Sequence, residues 1–308
     1  MAQVNELQAH VDDVASIFDE MAGEYDHLND LWYRYTFGTI AEVLRQEFQP
    51  CHKANSRPIA LDVGCGTGIQ SLQLASMGYK VIGVDISKSL LHIAHGKLSE
   101  AGFHDAEFYD ANASAMPLRG AVVDCVNCCG PTLSFVSDWR KALSEMARCL
   151  KPGGKLLLEV EGKWNFDLFW EIVSAVGFNF LGYDESLRAA LSHLLPPWNT
   201  GHVINYSFKL ESGDSVSMPL KLFSAEEIRR ELHKAGFAVD KAWGLHAVTN
   251  LIPSTILHKS NPGSGLTLAF KLLSSIEKQL SSHWPTNSFA CSLLFLAHKR
   301  AADENARR

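Results

Sequence analysis

Glycines at alternate positions in Leu61-Asp62-Val63-Gly64-Cys65-Gly66-Thr67-Gly68 put bare backbone where one apolar run ends, and Asp85 closes a second run, Val81-Ile82-Gly83-Val84. Without a Cβ, such a loop turns sharply and lets a ligand approach the main chain more closely than any side chain permits. A carboxylate at the end of the neighbouring strand accepts from both hydroxyls of a ribose. Together these residues point to an adenosine-bearing cofactor. A dinucleotide loop of the form G-x-G-x-x-G needs its third glycine to clear room for helix packing beside a pyrophosphate. Here that place falls on Ile69 or, one frame on, Ser71, which disfavours NAD and FAD. No Gly-Lys-Ser/Thr follows, which excludes a phosphate loop.

The stretch Asp62-Val63-Gly64-Cys65-Gly66-Thr67-Gly68 is similar to motif I of the class I S-adenosylmethionine (SAM) methyltransferases, whose cofactor carries no phosphate and sets its methionine part over this loop. Further stretches match in order: Asp110-Ala111 after the run 107–109, a fourth strand over 122–127, and Lys151-Pro152-Gly153-Gly154 as the turn before a fifth strand over 155–160. Near the start, Phe18-Asp19-Glu20-Met21-Ala22-Gly23-Glu24-Tyr25-Asp26-His27-Leu28-Asn29 resembles a segment of the ubiquinone/menaquinone C-methyltransferases and their small-molecule relatives that folds over the cofactor. The resemblance implies SAM as cofactor, with S-adenosylhomocysteine (SAH) as product. It implies cofactor contacts from Asp62, Gly64, Cys65, Gly66 and Gly68 in the loop and from Asp85 and Ile86 at the ribose. Asp110 and Ala111 would hold the adenine, Asp110 accepting from its amine and the Ala111 amide facing the ring. Backbone around Cys128 and Gly130 would hold the ammonium, and Tyr25 would serve as a lid.

Alternating strand and helix signals over most of the chain predict a doubly wound α/β fold with a helical and hairpin insert after strand five, and the resemblance implies that it is a Rossmann-like seven-stranded sheet with an antiparallel last strand and an N-terminal helical lid. Residues 1–50 read as the lid, 51–161 as the SAM-binding core, 162–222 as a substrate cap, 223–300 as the rest of the sheet with an extra helix, and 301–308 as a frayed tail. Within these, Val11, Val14, Ile17, Phe18 and Met21 form a buried stripe, Ser137 caps a helix over 138–150, and Ser224 caps another with Glu227 in the capping-box place. Ser212-Gly213-Asp214 marks a hairpin turn between 202–210 and 215–222. The link around His52, Lys53, Asn55 and Ser56 lacks apolar periodicity and reads as a mobile connection between lid and core.

A net charge of −6 over 308 residues argues against a nucleic-acid partner, which demands a basic face. Seven cysteines, an odd number scattered through strands, read as small buried hydrophobes of a reducing compartment. Adjacent Cys128 and Cys129 do not easily share one ion, and no metal is expected. No apolar run approaches the ~20 residues of a membrane span, and the first residues lack a signal-peptide pattern. The expectation is a cytoplasmic protein, monomer or homodimer, acting on a small molecule.

The reaction implied is SN2 transfer of a methyl group from a sulfonium to O, N, S or C, in which holding donor and acceptor in line is the protein's main contribution. The aromatic-rich cap favours a small, partly hydrophobic acceptor, with Tyr33, Tyr35, Trp164 and Trp198 as candidate substrate contacts. Where the acceptor must lose a proton, His193, His202 and His246 are the candidate bases. The competing readings are a nicotinamide-dependent oxidoreductase, opposed by Ile69 and Ser71, and a SAM-binding regulatory protein without turnover.

Overall fold

The computed structural model describes residues 2–23, 25–27, 30–50, 57–183, 186–194, 197–209, 215–259 and 261–301. The expected hairpin turn, the 51–56 link and nearly all of the tail lie outside them. Helix α1 (Ala2–Met21), a single 3-10 turn (Tyr25–His27) and α2 (Leu31–Glu47) precede the alternating core. That core runs β1 (Ile59–Val63), α3 (Ile69–Ser76), β2 (Lys80–Asp85), α4 (Lys88–Glu100), β3 (Glu107–Asp110), β4 (Val123–Cys128), α5 (Thr132–Phe135), α6 (Trp139–Cys149) and β5 (Leu150–Glu161). The insert holds α7 (Phe166–Val176), α8 (Leu187–Ser192) and the separate hairpin β6 (His202–Lys209) and β7 (Ser215–Leu222). The chain then returns through α9 (Ala225–Lys234), β8 (Phe237–Leu245), α10 (Ser254–Leu257), α11 (Ser264–Leu280) and β9 (Ser292–Lys299).

The seven-stranded sheet has the order β3-β2-β1-β4-β5-β9-β8. All pairings up to β5 are parallel, and β9 is inserted antiparallel between β5 and β8. Strands buried on both faces must be apolar almost throughout, as Ile59–Val63 and Ser292–Lys299 are. On one face Leu61, Val63, Val126, Leu156 and Leu158 pack with Leu143, Met146 and Ile228 from α6 and α9. On the other, Ala60, Leu157, Leu294 and Leu296 pack with Leu74 of α3 and with Ile40, Val43 and Leu44 of α2. The strand order reverses between β1 and β4, which opens a crevice at their carboxyl ends.

Two local expectations change. The segment expected as one helical lid divides: α1 and the 3-10 turn lie over the crevice, whereas α2 is a core helix whose apolar stripe covers one face of the sheet. Asp138 caps α6 in place of Ser137, its carboxylate accepting from Lys141 N at 3.3 Å. Ser87 and Ser224 cap α4 and α9 through the amides three residues on. Among the described residues, no helix is long and apolar enough to cross a membrane.

Candidate active site

The loop after β1 is pinned to β2: the Gly64 and Cys65 amides both donate to the Val84 carbonyl, at 2.8 and 3.1 Å. Gly64, Gly66 and Gly68 all have left-handed backbones, with φ of 67°, 52° and 80°. Their reasons for lacking a Cβ differ. A Cβ on Gly64 would overlap the Thr132 side chain at the start of α5, and one on Gly68 would come within 2.9 Å of Ala94 Cβ in α4. A Cβ on Gly66 would project into open space, with Tyr25 Cε1 the nearest atom at 3.9 Å. Beneath the loop, buried Asp62 accepts from Ser71 Oγ at 2.6 Å and Asn127 Nδ2 at 2.8 Å, tying β1 to α3 and β4. Burial pushes the Asp62 carboxyl up to about 6, against these two hydrogen bonds.

A cavity of about 730 Å³ lies over this loop. Its floor is Gly64, Gly66, Asp85 and Ile86, one wall is Ala111, Asn112 and Ala113, and the facing wall is Gly130, Thr132, Phe135, Val136 and Ser137. Val11, Val14 and Phe18 of α1, with Tyr25, form its roof. A smaller cavity of about 270 Å³ shares Tyr25, Gly64, Gly66 and Gly130 with the first and adds Cys65, Thr67, Gln70, Cys129 and Phe37. Asp85 Oδ2 accepts from the Gly66 amide at 2.8 Å and Oδ1 from the Ser87 amide at 3.0 Å. A carboxylate offers about four lone-pair positions, so acceptor capacity remains for a further donor. Burial raises the Asp85 carboxyl, and the backbone amides oppose that rise.

The roof is fastened by two acids. Asp19 Oδ1 accepts from Ser87 Oγ at 2.6 Å and the Ser89 amide at 2.9 Å, at the N-terminus of α4, where a negative charge also meets the positive end of the helix dipole. Asp26 accepts from Thr67 Oγ1 at 2.6 Å and pairs with Lys97 at 2.7 Å. Phe18 packs edge-on against Phe135, with centroids 5.6 Å apart. Burial pushes the Tyr25 phenol up to about 12, with Asp85 and Glu159 adding to the rise.

Residues 61–158 match a family model described as a methyltransferase domain. The chain is 35% identical over 153 residues to the ubiquinone/menaquinone biosynthesis C-methyltransferase UbiE of Pectobacterium carotovorum, a match covering 47% of this chain and 57% of that protein. The UbiE of Cronobacter sakazakii is 33% identical over 178 residues, covering 55% of this chain and 67% of that protein. The chain thus spans between about half and two thirds of these relatives' length. In fold it also resembles the crystal structure of the [4+2]-cyclase SpnF, with a TM-score of 0.56 at 15% identity over 94% of this chain and 96% of that one. The chain belongs to the class I SAM-dependent methyltransferases.

The cavity of this methyltransferase fits its family's cofactor: a carboxylate with unused acceptor capacity sits beside glycines whose missing side chains leave the backbone open. Tyr25, Gly64, Gly66, Asp85, Ile86, Ala111 and Gly130 line the larger cavity, and Cys65 the smaller. Four expected contacts are placed elsewhere. Asp110 is exposed, 3.5 Å from Lys88 Nζ, and the Ala111 amide donates to the Asp85 carbonyl at 2.9 Å, so that amide is spent on the sheet. Asn112 and Ala113, two residues further on, line the wall instead, because β3 ends in register with Asp85 and only the chain beyond it turns inward. Cys128 is fully buried, and Cys129 beside it lines the smaller cavity. Gly68 serves packing between α3 and α4, and Asp62 holds the loop from below.

The three histidines are not gathered at the cavities. His246 is fully buried, stacked 3.6 Å from the Trp32 ring, with its nitrogens against Thr36 Oγ1 at 2.8 Å and Thr249 Oγ1 at 2.9 Å. Burial pushes it down to about 3, and it lines neither cavity. His202 is pushed down to about 4, by burial first and then by His193, and His193 lies 3.4 Å from Glu171 in the insert. Of the expected substrate contacts, Tyr35 packs edge-on against Phe270 below the site, and Trp164 Nε1 donates to the carbonyl of Trp198, itself 67% exposed. Only Tyr33, stacked on Phe37 beside the smaller cavity, stays near the crevice.

Asp19, Asp26 and Glu159 escaped the reading of the sequence. Glu159 is 1% exposed and accepts from the Gly130 amide and Ser292 Oγ, both at 2.6 Å, shaping the turn between the two cavities. An acid inside the run Leu156-Leu157-Leu158-Glu159-Val160 was a visible signal, since buried carboxylates need donors. The fastened roof leads to an expected result for the lid. Amide exchange over residues 18–35, read by mass spectrometry, should slow on SAH binding, while Ile59–Val63 stays protected throughout. Tyr25→Ala should weaken cofactor binding and turnover together by admitting water beside the sulfonium. Equal exchange with and without SAH, together with normal kinetics for the variant, would reduce the segment to a structural helix.

Proposed function

We propose that this methyltransferase moves the methyl group of SAM to a small, partly hydrophobic acceptor held under Tyr25, α2 and the insert. The observation that carries this reading is the paired cavity: Asp85 and the 111–113 wall fit a nucleoside, and the smaller space around Gly66, Cys129 and Gly130 fits the methionine end. When bound, SAM supplies a methyl already activated on sulfur. The protein then has to orient the acceptor and exclude water, and the apolar roof of Val11, Val14 and Phe18, with Phe135 of the facing wall, does the second. The relatives named as quinone C-methyltransferases favour a carbon acceptor on a ring. The insert at 162–222 lies outside the residues matched by the family model, so the acceptor itself need not be theirs.

Calorimetric titration with SAM, SAH and NADH tests the cofactor, and a labelled-methyl screen of phenols, thiols, amines and quinols tests the acceptor. SAM and SAH should bind and NADH should give no heat. Asp85→Ala should cost roughly 1.5–3 kcal/mol of SAH affinity, the scale of hydrogen bonds to a charged group. It should also lower the melting temperature, because the Gly66 and Ser87 amides lose their acceptor. Binding of NADH as tight as that of SAM would overturn the reading.

A further inference from the structure

Side chains at 157, 159 and 161 share one face of β5, because strand residues alternate with period two. Leu157 is buried with Ile40 and Leu44 of α2. Glu159, one step nearer the crevice, is tied to the Gly130 amide. Glu161, about 7 Å beyond it along the strand, ends β5 and acts electrostatically on Tyr33 in the first turn of α2, whose ring stacks on Phe37. Its backbone is fixed: the amide donates to Ser134 Oγ at 3.0 Å, in the same short helix as the cavity residues Thr132 and Phe135, and its carbonyl accepts from the Phe223 amide at 2.8 Å.

The carboxyl of Glu161, by contrast, has no hydrogen-bond partner among the described residues, although the neighbouring acids are all engaged. Glu159 holds Gly130 and Ser292, and Asp167 holds Asn250 Nδ2 at 2.9 Å, the Ser254 amide at 3.1 Å and the Tyr183 hydroxyl. A carboxyl within a sheet normally has its hydrogen bonds made within the protein, and Glu161 is half-buried. The titratable groups that act on it are Glu159 on its own strand, Asp167 of α7, Tyr33 of α2, Tyr206 of β6 and Cys291 before β9. Two phenols and this carboxyl thus act on one another, and the Tyr33 ring stacks on Phe37, which lines the smaller cavity.

We propose that Glu161 is the general base of the reaction, its carboxylate taking the proton that the acceptor gives up. The inference rests on the methyl-transfer reading. The acceptor–carbon bond forms as the sulfur–carbon bond breaks, the latter's electron pair stays on sulfur in the neutral thioether, and the acceptor's proton passes to a Glu161 oxygen and later to solvent. Tyr33 and Tyr206 orient the acceptor's polar edge toward that oxygen. Burial, with Glu159 and Asp167 adding to it, pushes the Glu161 carboxyl up to about 8. The ionised form is therefore the minor one at neutral pH and grows as pH rises, so methyl transfer should climb with pH and level off above about 8.

Glu161→Gln and Glu161→Asp in the full chain test this, with SAH calorimetry run beside each assay. Glu161→Gln should bind SAH as the unaltered protein does, lose about a hundred- to ten-thousand-fold in transfer rate, and lose the rising limb of the pH profile. Glu161→Asp should keep the limb at a reduced rate. Infrared difference spectra of the SAH complex, which need no acceptor, should show a protonated carboxyl at neutral pH that titrates near 8 and is missing in Glu161→Gln. A pH limb that survives Glu161→Gln, or a Glu161 already ionised at neutral pH, overturns the proposal. Loss of SAH binding by the unaltered protein would instead overturn the methyltransferase reading beneath it.

Discussion

Replacing Gly66 with valine should abolish SAH binding while the chain still folds. The Cβ of residue 66 would point into the space between the loop and the Tyr25 ring, where nothing lies closer than 3.9 Å. That space joins the two cavities, since Gly66 and Tyr25 line both. A branched side chain there would block the passage a cofactor must occupy to reach from Asp85 to Gly130. The loss expected in calorimetry is at least about 100-fold, or roughly 2.7 kcal/mol. A valine forced to φ near 52° adds backbone strain on the order of 1–3 kcal/mol to the folded state, visible as a lowered melting temperature. Gly66→Ala separates the two causes, because it carries much of the strain with less of the obstruction. Retention of SAH by a folded Gly66→Val protein would show that the loop is not the binding site.

The second large effect lies away from the cavities. Glu277 of α11 is fully buried, and its carboxylate accepts from the amides of His246, Val248 and Thr249 at 2.7 to 2.8 Å and from Thr249 Oγ1 at 3.0 Å. These bonds hold the chain as it leaves β8, where His246 takes a φ of 57° that a side-chain-bearing residue adopts only under constraint. Glu277→Ala would leave three backbone donors without a partner, each worth about 1–3 kcal/mol, so a loss of about 3–5 kcal/mol in denaturant unfolding is expected. SAH affinity should change little, because neither Glu277 nor the groups it holds line a cavity. A loss below about 1 kcal/mol would mean that water replaces the carboxylate.

Acid acts on the same cluster. His246 is held far below its ordinary 6.5, to about 3, so the folded state binds fewer protons there than the unfolded chain does. Its contribution to stability is full above about 6.5 and is lost as pH falls from there toward 3. A histidine after a strand in a chain that needs a base was a reasonable candidate by composition. What encloses it is the convergence of Trp32, Thr36, Thr249 and Glu277 from three separate segments, and apart from Thr249 nothing local to residue 246 announces those partners.

Asp110 stands outside the cavity lining for a different reason. The acid stands at the end of an apolar run as Asp85 does, but β3 is the edge strand, and its side chain at 110 faces solvent and Lys88. The cavity wall on that side is formed instead by the residues that follow, Ala111, Asn112 and Ala113. Cys128 and Cys129 differ by one place, and in a strand one place exchanges the two faces of the sheet. Helix α2 carries a stripe of Ile40, Val43 and Leu44, and the same stripe would serve a lid or a core helix equally well until the sheet beneath it is known.

The antiparallel last strand followed from the family resemblance, whereas the glycine loop, the acid that closes the second strand and the alternation that yields a doubly wound sheet were legible in the residues themselves. Each is a local consequence of backbone freedom, capping or hydrophobic period, so each needs only its own neighbours in sequence. The tertiary structure alone decided which face of each strand meets the cavity, that Asp19 and Asp26 fasten the roof from as many as 71 residues away in the chain, and that the Glu161 carboxyl has no hydrogen-bond partner among the described residues. Those outcomes turn on burial and on long-range pairing, where the worth of a polar group is set by whichever segments happen to pack against it.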